Sequence, residues 1–213
     1  IDTPGMYSLV PVTEEERVSR TIIISEKPKA VIHVIDAKNL ERMLPFTLQL
    51  IEANLPVILV LNIMDEAERL DIKIDIKKLE KELGIPVVAT VGVINKGINV
   101  LKDLIDTYTY SEPKKYKLDA NLERYILEKV EPNLKNDYGV SKRIIGLWIL
   151  QGDKEIIELV KKKDATGYKK LEESIDSLKK KYADPIGYVI AMLRQDISFK
   201  IASKCEISPK KIP

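Results

Sequence analysis

Two uninterrupted apolar runs, Ala30-Val-Ile-His-Val-Ile35 and Val57-Ile-Leu-Val-Leu61, each end on a polar residue, Asp36 and Asn62, with one helix-length segment between them. Short runs without polar alternation suit strands buried on both faces, and such strands belong to parallel sheets. The intervening segment, Leu40 to Ala53, sets Leu44, Thr47, Leu48, Leu50 and Ile51 on one helical face, as a crossover between parallel strands requires. The pattern continues with a helix over Ile76 to Leu83 stopped by Gly84, a strand over Pro86 to Ala89, and a closing helix over Ile98 to Thr107. Upstream, Thr13-Glu-Glu-Glu16 has the form of a capping box and predicts a helix reaching Ser25. Residues 1–110 therefore read as an α/β domain, a parallel sheet flanked by helices. In such sheets ligands bind beyond the carboxyl ends of the strands, where Asp2, Asn62 and Thr90 are expected to fall.

Residues 111–120 break the pattern with Ser-Glu-Pro-Lys-Lys-Tyr-Lys and predict a linker. Beyond it, 121–213 shows only helical spacing, in segments from Asn121 to Asn136, Ser141 to Leu150, Lys154 to Lys163, Tyr168 to Tyr182 and Pro185 to Lys204. An all-α domain is expected to follow the α/β half. The charge balance, 35 Lys and Arg against 33 Asp and Glu, gives no electrostatic case for nucleic acid. One cysteine, Cys205, excludes an internal disulfide framework, and no apolar stretch approaches the ~20 residues that span a bilayer. A first residue other than Met suggests a piece of a longer polypeptide.

The chemistry lies in three short motifs. Asp2-Thr3-Pro4-Gly5 and Asn62-Ile63-Met64-Asp65 stand in the order and spacing of GTP-binding domains. Asp2 would hold Mg2+, and Gly5 would let the backbone approach a γ-phosphate. Asp65 would accept the N1–H and 2-amino donors of guanine as a bidentate, charge-assisted pair, with Asn62 tying the base loops together and Ile63 giving the base an apolar surface. Thr90-Val91-Gly92 stands where a backbone N–H meets the guanine O6, a role for which Gly92 is the candidate. The first two motifs have plainer readings: a proline turn at Asp2 to Gly5, and a helix cap at Asp65. The phosphate-cradling G-x-x-x-x-G-K-[ST] loop occurs nowhere in the chain, so weak nucleotide binding and no hydrolysis are expected of these residues alone. His33 and Trp148 read as core residues.

Asp2-Thr-Pro-Gly-Met-Tyr-Ser-Leu9, Glu26-Lys-Pro28, Asp36-Ala-Lys-Asn-Leu-Glu-Arg42, Thr47-Leu-Gln-Leu50 and Asn62-Ile-Met-Asp-Glu66 together resemble the cytosolic GTP-binding domain of ferrous iron transport protein B. Leu147-Trp-Ile-Leu-Gln-Gly-Asp153 resembles that family's helical domain, which favours the GDP-bound state. The resemblance implies a truncated Ras-like G domain lacking its phosphate loop and switch I. It also implies GTP or GDP and Mg2+ as cofactors, coupling of GTP hydrolysis to Fe2+ uptake, and a cytoplasmic-face location. The implied partner is a transmembrane iron-transport domain of the same polypeptide, and a homo-oligomer is a further expectation. A strand, the phosphate loop, a helix, switch I and a second strand would need about fifty residues at average element lengths. The competing reading is a non-catalytic binding or regulatory module that kept a GTPase scaffold.

Overall fold

A computed structural model describes residues 1–207; residues 208–213, the end of the expected helical domain, lie outside the described residues. Its contacts group the chain differently from the expected order of 1–110, linker and 121–213. One compact unit combines residues 1–27 with 116–194, and the other combines 28–115 with 195–213. The reason is local. The first helix is fastened to the helical half by ion pairs, one of them buried, and the last helix ends against the sheet half; both are described below.

The sheet unit holds three parallel strands in the order β1 (Val31–Asp36), β2 (Val57–Asn62) and β3 (Val87–Ala89). The register sets His33 opposite Leu59 and Asp36 opposite Asn62, so the polar residues ending both apolar runs lie side by side. β2 is central and buried from Val57 to Leu61. β1 is not: Ile32 and Val34 are 40% and 53% exposed, while His33 and Ile35 are buried. The expectation of a strand buried on both faces thus fails at β1. Helix α2 (Leu40–Glu52) packs on β1 and β2, whereas Leu101, Leu104 and Ile105 of α5 (Ile98–Thr107) pack with Ile58, Val60 and Val88.

Helix α3 (Met64–Arg69), raised in the sequence reading only through a helix cap at Asp65, follows β2 directly. Helix α4 (Ile76–Leu83) starts on an Asp75 cap, whose carboxylate accepts from the Lys78 N–H at 3.0 Å, and ends on Gly84 at φ +69°. From Gln195 onward the terminal helix, α11 (Ile186–Cys205), belongs to this unit. The Asp75 N–H donates to the Cys205 carbonyl at 2.8 Å and the Ile207 N–H to the Lys73 carbonyl at 2.6 Å. One helix terminus therefore caps another, satisfying a carbonyl that a free end would leave bare.

The helical unit opens with residues 1–11, which form no regular element. Helix α1 (Glu14–Ser25) carries the expected capping box of Thr13 and Glu16. The single helix expected over Asn121 to Asn136 is instead α6 (Ala120–Tyr125), a π-helical turn (Ile126–Val130) and α7 (Glu131–Asn133). Pro132 explains the break: it offers no N–H to the Glu128 carbonyl, and the Glu131 N–H bonds back to Ile126. Helices α8 (Lys142–Leu150), α9 (Lys154–Lys163) and α10 (Ala165–Lys179) follow, around a core in which Trp148 is fully buried. Among the described residues no helix is long and apolar enough to cross a membrane.

Candidate functional site

The carboxyl end of the sheet gathers one set of the expected residues. The Asn62 side-chain oxygen accepts from the Gly92 N–H at 3.1 Å and from the Thr90 hydroxyl at 3.0 Å. The Thr90 N–H bonds to the Leu61 carbonyl at 2.7 Å, and the Met64 N–H to the Thr90 carbonyl at 3.3 Å. Asn62 thus ties the loop after β2 to the loop after β3, as the sequence reading required. Thr90 and Val91 are buried, and Gly92 is exposed. The Gly92 N–H expected to meet a ligand oxygen is held by Asn62 in this structure. Gly97 closes the second loop: at φ +80° a β-carbon there would lie 2.2 Å from the Ala89 carbonyl oxygen, so only glycine fits.

Ile63 turns the chain into α3 through the left-handed region at φ +61°. That conformation is costly for a β-branched residue, and such strain gathers at functional sites. It places Asp65 in the first turn of α3, half-buried and two residues past the cap position at Ile63. Its Oδ2 is paired with Arg69 at 2.7 Å, the arginine side chain being 72% exposed. An exposed pair at this helical spacing contributes only about 0.3–0.5 kcal/mol, which a better donor set would displace. Arg69 escaped the sequence reading, which gave α3 no extent beyond a cap.

A second feature of the same end was also missed. Asp36 caps the short 3-10 turn Ala37–Asn39, accepting from the Lys38 N–H and from the Asn39 side chain at 2.9 Å each. The Lys38 ammonium pairs with Glu66 of α3 and lies 3.8 Å from Asp36, and the Glu66 bond holds its pKa above the usual lysine value. The sequence signal was the polar Asp36 ending an apolar strand.

Asp2 and Gly5 belong to the other unit. Both are exposed, and a β-carbon at Gly5 would meet nothing within 4 Å, so the backbone there is open to approach. Behind this loop the Ser19 hydroxyl donates to the Pro4 carbonyl at 3.0 Å, and Glu16 accepts from the Val12 N–H at 2.8 Å. Arg20 of α1 donates to the Leu9 carbonyl at 3.4 Å, pairs with Asp153 and Glu155, and lies 5.7 Å over the Trp148 ring. Asp153 also caps α9 through its other oxygen, 3.1 Å from the Ile156 N–H. The segment after Gly5 is therefore stitched to α1, and α1 to the helices around Trp148. Among the described residues no group of three or more His, Cys, Asp or Glu side chains is arranged to hold a metal.

Two family models match: ferrous iron transport protein B over residues 1–105 and the FeoB cytosolic helical domain over residues 119–206. The Fe(2+) transporter FeoB of Escherichia coli K12 is 37% identical over 169 residues, 72% of this chain and 20% of that protein. A Porphyromonas gingivalis fusion of Fe(2+) transport protein A with FeoB is 36% identical over 172 residues, 75% of this chain and again 20% of its own length. The chain thus spans a fifth of these relatives. Among solved structures, the T. maritima FeoB cytosolic domain in its GMPPNP form superposes with TM-score 0.79 at 28% identity, covering 97% of this chain and 79% of that one. NFeoB from S. thermophilus bound to GDP, AlF4- and K+ gives TM-score 0.82 at 26% identity, covering 95% and 79%.

Proposed function

Since the chain belongs to the ferrous iron transport protein B family, as part of its cytosolic G domain with the helical domain, we propose that it is the guanine-reading and regulatory portion of a GTPase serving ferrous iron uptake. The observation that carries this reading is the Asn62 stitch between two strand-end loops, which sets Asp65 on a short helix beside them. Asn62, Ile63 and Asp65, with Thr90, Val91 and Gly92, form the base site. A carboxylate there matches the paired donors of guanine and leaves adenine unmatched.

Asp2 and Gly5 serve the phosphate side, Asp2 toward Mg2+ and Gly5 as a backbone donor. Mg2+ would supply charge neutralisation at the terminal phosphate. The phosphate loop itself must come from residues outside these. The open edge of β1, with Ile32 and Val34 exposed on the sheet face that α5 covers at β2 and β3, supports an added strand and helix there. The polypeptide would continue into a transmembrane iron-transport domain, with this part on the cytoplasmic face, and homo-oligomers remain compatible. The solved relatives described as a GMPPNP form, and as bound to GDP with AlF4- and K+, support a guanine nucleotide as the ligand.

Asp65→Asn in the full-length polypeptide tests the assignment. Exchanging one acceptor for a donor opposes the guanine 2-amino group and suits the 2-oxo group of xanthine. Preference is expected to pass from GDP to XDP by calorimetry, and unchanged GDP affinity would place the base elsewhere.

A further inference from the structure

Helix α3 has six residues, and no side chain caps its start. A helix this short does not hold itself, so its position comes from tertiary anchors. Three are visible: the Met64 N–H on the Thr90 carbonyl, the fully buried Ala67, and the Lys38–Glu66 ion pair. The third differs in reaching α3 from β1, and it acts on the residue next to Asp65. Lys38 is itself held in place: its own N–H is bonded to Asp36, and Asp36 lies opposite Asn62 in the strand register.

Resting on the reading of Asp65 as the guanine acceptor, we propose that Lys38 is a positioning residue for base selection. Through Glu66 it fixes the rotation of α3, so that both Asp65 oxygens face the two guanine donors. The need for such a strap follows from Arg69, which draws Asp65 Oδ2 along the helix toward solvent. A carboxylate free to follow Arg69 would still accept one donor, the N1–H, but would lose the two-pronged contact that includes the 2-amino group.

The experiment compares GDP with IDP, whose base keeps the N1–H and lacks the 2-amino group, in the full-length polypeptide. In Lys38→Ala the preference for GDP over IDP is expected to fall about two- to fivefold, the range of a partly exposed ion pair. Lys38→Arg is expected to restore it. In the 213-residue chain without nucleotide, the Ala67 amide is expected to exchange faster in Lys38→Ala by a similar factor. A role confined to stability would weaken GDP and IDP alike and leave their ratio unchanged. An unchanged ratio in Lys38→Ala, in a protein where Asp65→Asn does switch to XDP, overturns the positioning role and keeps the base site. An unchanged ratio together with an inert Asp65→Asn overturns both.

Discussion

His33 sits in the middle of β1 and is 8% exposed, its Nδ1 3.0 Å from the Thr47 hydroxyl and its ring edge-on to Phe46 at 4.9 Å. Burial pushes its pKa down from 6.5 to about 4, because the imidazolium would lose its hydration. The folded protein therefore takes up the proton only at lower pH than the unfolded chain. Stability is complete above about pH 6.5 and falls as pH drops toward 4, by at most roughly 3 kcal/mol. Urea midpoints measured between pH 7 and 5 should decline in the wild type and stay level in His33→Leu. A variant with the same decline as the wild type would trace the proton to another group. At this scale the sequence was legible where the flanking residues fix the burial: an isolated histidine in an apolar run is a core residue. It was silent on Arg69, Lys38 and Arg20, whose partners come from helix geometry or from residues far along the chain.

Elements were legible where one local rule fixed both ends. The capping box at Thr13, the glycine stop at Gly84 and the apolar run at β2 each correspond to an observed boundary. The reading failed where a tertiary or covalent constraint overrode periodicity: Pro132 divided a continuous amphipathic pattern, and the left-handed turn at Ile63 started a helix ahead of any cap at Asp65. Gly97 shows how the loop after β3 depends on one close approach. Gly152 has the same φ of +80°, yet a β-carbon there would meet nothing within 4 Å. Gly152→Ala should cost about 1 kcal/mol for backbone conformation alone. Gly97→Ala must also move the Ala89 carbonyl or the loop, and should cost roughly 2 kcal/mol or more. Equal losses in denaturant unfolding would show that the Ala89 contact relaxes freely. The larger loss should bring amide shifts at Thr90 and Gly92.

For the whole molecule, the question is what the helical half does for nucleotide. Truncation near Glu112 is the obvious probe, but it would also remove residues 195–207, which cap and pair with the loop before α4 in the sheet unit. A point substitution separates these effects. The Arg20 and Asp153 side chains are each 4% exposed, and losing one partner of such a pair can cost about 3–5 kcal/mol. Asp153→Asn is milder, because an amide oxygen can still cap α9 at the Ile156 N–H and Glu155 still faces Arg20. It removes one of the two charges that fasten Arg20, and with it α1 and the Leu9 carbonyl, to the helices around Trp148. If the helical half favours the GDP-bound arrangement of the segment after Gly5, linkage requires that loosening this contact weaken GDP by the same factor. Stopped-flow release of a fluorescent GDP from the full-length polypeptide should then be faster by about fivefold or more, with the preference for GDP over XDP unchanged because Asp65 is untouched. Release at the wild-type rate, from a variant whose α1 amides do exchange faster, would show that the fastening of α1 stabilises the fold and has no hold on the nucleotide.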